Sequence, residues 1–123
     1  MTHAQFFNEC DWRLQDIEHR FSGVEVSGRF CYEGSAKIKN LLIETETVLQ
    51  VLIKRADQVG GKKVDKVKED LEALLSTVKL EQAWWNAISV ASTERARIIN
   101  EIGFAIREII LVCESGLTGE DKE

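Results

Sequence analysis

Few residues in this chain have the types and spacing that chemistry needs. Asp16-Ile17-Glu18-His19 sets a carboxylate three residues before an imidazole, a spacing at which two side chains on one helix can hold a metal ion. A carboxylate-bridged di-metal bundle needs such a pair from each of two helices and a glutamate from each of two more. The chain has two histidines, His3 and His19. With Phe7 at heptad position a, Asp16 falls at c and His19 at f, both turned from the apolar seam. The pair therefore reads as a solvated helix face. "QVGGKKV" (58–64) has the glycines and lysines of a phosphate-binding loop, but that loop would need glycine at Ala56 and a hydroxyl at Lys63. Here the glycines follow an apolar-periodic run, which makes them a helix stop. Cys10, Cys31 and Cys113 form no Cys-x-x-Cys pair. Cys10 and Cys113 lie on apolar seams and read as small core residues, leaving Cys31 as the thiol expected to react.

Two further patterns resemble parts of known helical enzymes. Glu69-Asp70-Leu71-Glu72 resembles the first half of the paired Glu-x-x-Glu and Glu-x-x-Asp motif with which all-α nucleotide pyrophosphohydrolases hold Mg²⁺. The second half has no counterpart, because Glu94, Glu101 and Glu108 lead to Arg97, Phe104 and Leu111. Arg13 and His19 resemble the Arg-x₄₋₆-His pair of HEPN-type ribonucleases, although here they lie on the first helix and in that family toward the C-terminal part. Either resemblance implies a small helical enzyme or ligand-binding bundle acting on a nucleotide or RNA. That is the alternative function class.

The elements that must position these residues are helical. The chain has 123 residues, eight glycines and no proline, and 44% of it is hydrophobic. One domain of this size buries a modest core. Phe7, Cys10, Leu14, Ile17 and Phe21 recur at steps of three and four and predict a helix over 3–21. The segment 22–35 lacks that period and reads as an ordered loop whose Val24, Val26, Phe30 and Tyr32 pack over Trp12. After Ser35 as N-cap, Ile38, Leu41, Leu42, Thr45, Val48, Leu49, Leu52, Ala56 and Val59 predict a helix over 36–59 that stops at Gly60-Gly61.

Beyond the glycines, Val64, Val67, Leu71, Leu74, Val78, Trp85, Ile88, Ile99, Ile102, Ile106, Ile109 and Cys113 fit one heptad phase. A turn near 89–93 gives helices over 63–89 and 93–115 and an antiparallel four-helix bundle. Without it, 64–114 would be one helix ~77 Å long, which two intertwined chains would have to share. The turn is preferred, because it yields helices of matched length and because Ser92 and Arg95 interrupt the seam there. Gly116 is expected just past the last helix, with Leu117 folding back on Val112. The domain spans 1–115, and 116–123 is an acidic tail expected to be flexible.

The net charge is −5, of which the residues from Glu114 onward carry −3 (Glu114, Glu120, Asp121 and Glu123 against Lys122). The body is thus near −2, without the clustered basic patch of a nucleic-acid binder. No apolar run approaches the ~20 residues of a membrane span. Reduced thiols and the absence of a signal-peptide pattern point to the cytoplasm. No cofactor and no metal are expected. The expected function is non-catalytic: a protein–protein interaction module such as a small regulator, adaptor or immunity-type protein, with itself as the first partner in a homodimer. The candidate contact residues are Trp12 at f of the first helix, Phe30 and Tyr32, Trp84 at g beside Trp85, and Arg95 at a seam position.

Overall fold

In a computed structural model the chain is an all-α four-helix bundle. The structure describes residues 2–26, 32–87 and 92–117, and the side-chain surroundings of 2–21, 38–83, 97 and 100–116. Helix α1 spans His3–Val26, α2 Tyr32–Val59, α3 Lys62–Ala87 and α4 Ser92–Leu117. Neighbours in sequence pack together and α4 closes back on α1, so the helices form a ring of four seams. The α1–α4 and α2–α3 seams are the most extensive. Because α4 packs on α3, the chain reverses between them and the long continuous helix is ruled out. Residues 88–91 lie outside the described ones.

Signals at their ends shape the first three helices. Thr2 and Gln5 form a reciprocal capping box: Gln5 N–H donates to Thr2 Oγ1 at 3.1 Å, and Thr2 N–H donates to Gln5 Oε1 at 2.9 Å. This Thr-x-x-Gln spacing is legible in the sequence, though the apolar period alone does not reveal it. At the end of α2, Gly60 takes φ 71° and donates its N–H to Ala56 O at 3.0 Å, closing the helix in a left-handed cap. Gly61 at φ 105° then restarts the chain, accepting at 2.8 Å from Asp65 N–H as the first bond of α3.

The structure moves three expected boundaries. Residues 22–26 extend α1 and 32–35 belong to α2, so both ends of the expected 22–35 loop are helical, while 27–31 lie outside the described residues. Loose apolar alternation does not by itself end a helix, and the weak helix propensity of these Gly-, Ser- and Val-containing stretches is overridden. Ser35 is consequently inside α2 and is not its N-cap. At the other end α4 continues through Gly116 to Leu117, and Gly116 has no positive φ. Its missing side chain serves packing instead, since a Cβ there would stand 2.9 Å from two ring carbons of Phe7.

The core follows the apolar periods. Phe7, Cys10, Leu14, Ile17 and Phe21 of α1 are buried, with Phe6 added on a wider face. Ile38, Leu41, Leu42, Leu49, Leu52 and Ala56 of α2 join Val64, Val67, Leu71, Leu74 and Val78 of α3. Ile102, Ile106, Ile109, Ile110 and Cys113 complete the core from α4. Fully buried Thr45 satisfies its hydroxyl within its own helix, donating to Leu41 O at 2.7 Å.

Candidate interaction face and end groove

The outward face of α1 carries the most distinctive polar arrangement. Trp12 is 56% exposed, set by the helical repeat opposite Phe7 and Leu14. The backbone of 22–26 continues α1, and the side chains of Val24, Val26, Phe30 and Tyr32, expected to pack over Trp12, lie outside the described residues. Its ring is met by the next residue: the Arg13 guanidinium carbon lies 4.9 Å from the ring centroid, within cation–π range. Arg13 is held there from the other side, where its Nε–H donates to Glu9 Oε2 at 2.8 Å.

Glu9 also serves a second cation. Its other carboxylate oxygen lies 2.8 Å from Arg55 Nε on α2, with a side chain only 12% exposed. The two atoms are too poorly aligned for a hydrogen bond, so the approach is ionic. A single carboxylate between two guanidiniums thus pins Arg13, and Arg13 in turn covers one face of Trp12. The sequence alone pairs Arg13 with Glu9 at i, i+4 but is silent on Arg55, which arrives from another helix.

Other seams are bridged at the surface. Arg20 joins Glu44 of α2 and Asp16 of its own helix. Lys68 of α3 meets Asp57 of α2 at 2.5 Å, and that hydrogen bond holds its ammonium above the usual lysine value. Gln82 of α3 donates to Glu46 of α2 at 2.7 Å, and Arg107 of α4 meets Glu18 of α1 at 2.6 Å.

The α3–α4 seam opens into two contiguous grooves. One, of about 420 Å³, is floored by Ala73, Leu74, Thr77, Ala105 and Ile109. The other, of about 470 Å³, lies at the bundle end where α3 begins and α4 finishes. Lys62, Lys63 and Lys66 line it on one side and Leu111, Val112 and Gly116 on the other, with Phe7 and Glu108 among its walls. Phe104 and Leu111, seven residues apart on α4, are 67% and 57% exposed, and Leu80 of α3 is 66% exposed.

The enzyme-like patterns do not converge. His19, Asp16, Glu69 and Glu72 are all exposed on outer faces, as the heptad register requires. No group of three metal-ligating side chains is assembled among the described residues. Cys10 and Cys113 meet in the core between α1 and α4, where the hydrogen bond between them and burial raise the Cys10 thiol above its ordinary value. Such a thiol is a poor nucleophile.

Of the other expected contact residues, Tyr32 opens α2, Trp84 lies in α3 and Arg95 in the first turn of α4. Their side chains, and all of Phe30, fall outside the described residues, as does Cys31. Sequence reasoning missed Phe104 and Leu111, although both stand off the seam in the heptad register and are signalled by that alone. No described helix is long and apolar enough to cross a membrane. No protein-family model, curated protein or solved structure matches the chain.

Proposed function

We propose that this chain is a protein-binding helical module that acts through its outer faces and self-associates as a homodimer, in the manner of a small regulator or adaptor. The observation that carries this reading is Trp12, more than half exposed on α1 beneath a guanidinium that Glu9 holds in place. Tryptophan and arginine are the side chains most enriched among the energetic centres of protein interfaces. Immobilising them before contact lowers the entropy a partner must overcome. The outward Phe104 and Leu111 of α4 add apolar area on another side.

Light scattering coupled to size exclusion over a concentration series tests this directly. The wild-type chain is expected to pass from monomer to dimer, and Trp12→Ala to weaken the dimer with an unchanged melting temperature. A strict monomer at every concentration would sink the homodimer. A drop of ~3 kcal/mol or more in the stability of Trp12→Ala would mean the ring is part of a core and would sink the contact role.

A further inference from the structure

The groove at the α3–α4 end combines three features that single out a class of ligand. Lys62, Lys63 and Lys66 supply three ammonium groups against one lining carboxylate, Glu108. Lys66 also lies 3.3 Å from Asp70 within its own helix, and this exposed contact leaves it in reach of other anions. The opposite wall is apolar, built from Leu111, Val112 and the Cβ-free backbone of Gly116. An acidic peptide suits both walls, its carboxylates toward the lysines and the aliphatic stems of its side chains along the apolar side.

The chain itself delivers such a peptide to the rim. Gly116 lines the groove and α4 ends one residue later, at Leu117. The next residues are Thr118-Gly119-Glu120-Asp121-Lys122-Glu123, three acids to one base. They lie outside the described residues. Six extended residues reach roughly 20 Å, whereas Lys62 and Lys66 are separated along α3 by only ~6 Å. Gly119 permits the reversal that would bring Glu120 and Asp121 back over α3. Tethering also makes the encounter intramolecular, at an effective concentration in roughly the mM range.

From this we infer that the lysine-lined groove is an acidic-peptide site whose resident occupant is the chain's own 118–123 segment. Occupancy by the tail covers Leu111 and Val112 and makes the groove available to another acidic segment only by displacement. This inference does not rest on Trp12 or on dimerisation.

Backbone order parameters of the ¹⁵N-labelled full chain test it. At ~10 mM salt, where the Debye length is about 30 Å, amides 119–121 are expected near the rigid value of about 0.85. In ~1 M salt, where it is about 3 Å, they are expected to fall below about 0.6. The same fall is expected at low salt in Lys62→Glu/Lys63→Glu/Lys66→Glu. It is also expected in Glu120→Gln/Asp121→Asn/Glu123→Gln, which leaves the folded body untouched. Tail amides below 0.6 under every condition would overturn the inference, as would order that survives both variants. Order appearing only at high protein concentration would place a second copy's tail in the groove and overturn the intramolecular site.

Discussion

Gly103 and Gly116 lie thirteen residues apart on α4, and alanine should act on them with opposite sign. Both are helical, so replacement at either restores the backbone entropy and propensity that glycine forgoes, about 0.5–1 kcal/mol. A Cβ at Gly103 meets nothing within 4 Å, so that gain stands alone. With an unfolding entropy near 2.1 cal/mol/K per residue, about 0.26 kcal/mol/K for this chain, Gly103→Ala should melt about 2–4 °C higher. At Gly116 the Cβ would lie 2.9 Å from Cδ2 and Cε2 of Phe7 and 3.2 Å from Cγ. Carbon pairs rest at about 3.5–4.0 Å, so the ring must yield by ~0.6–1 Å. Phe7 is 3% exposed and packs at 5.6 Å between centroids on fully buried Phe6, so it has little freedom to yield. Overpacking of this kind costs about 1–3 kcal/mol. After the propensity gain, Gly116→Ala should lose up to about 2.5 kcal/mol and melt up to about 10 °C lower. Thermal and urea unfolding followed by circular dichroism measure both variants, and Phe7→Leu in the Gly116→Ala background should recover part of the loss. If Gly116→Ala stabilised as much as Gly103→Ala, Phe7 would not be packed on Gly116.

Other perturbations follow from the same packing. Leu49→Ala removes a fully buried side chain from the centre of α2 and should cost about 3–5 kcal/mol in urea unfolding; a loss under 1 kcal/mol would contradict the core described. Thr45→Val replaces a hydroxyl bonded only within its helix by a methyl of equal shape, and should change stability by less than about 1 kcal/mol. Glu9→Ala frees Arg13 and strands Arg55, and should cost about 1–3 kcal/mol. A double-mutant cycle with Arg55→Ala that gave no coupling would disprove the three-residue arrangement. Cys10 and Cys113 should resist Ellman's reagent until urea unfolds the chain, and immediate reaction in the native protein would contradict their burial. Because the native Cys10 thiol is raised above its ordinary value of about 9.0, the unfolded chain loses that proton first. Stability should therefore be fully present below about pH 9 and decline as pH rises above it, less steeply in Cys10→Ala. Equal slopes in the two proteins would refute the shift.

The number and kind of elements were legible in the amino-acid order, because a 3.6-residue repeat encodes which face of each helix leaves water. The recurrence of Phe7, Cys10, Leu14, Ile17 and Phe21 thus identifies α1 and its buried side. Gly60-Gly61 likewise marks a helix end, since both positions take φ values that glycine alone adopts freely. The same order was misleading at 22–26, at 32–35 and at Gly116, where several local conformations are open to the sequence and helix is the one adopted. Contacts between helices are not periodic quantities, because they depend on the rotation, offset and tilt of one helix against the next. Arg55 therefore reaches Glu9 across forty-six residues, Phe7 lies over Gly116, and three lysines of α3 face the C-terminal turns of α4 by virtue of tertiary structure alone. The exposure of Trp12 was expected from its heptad position, but the guanidinium resting on it was decided by a carboxylate shared with a second helix.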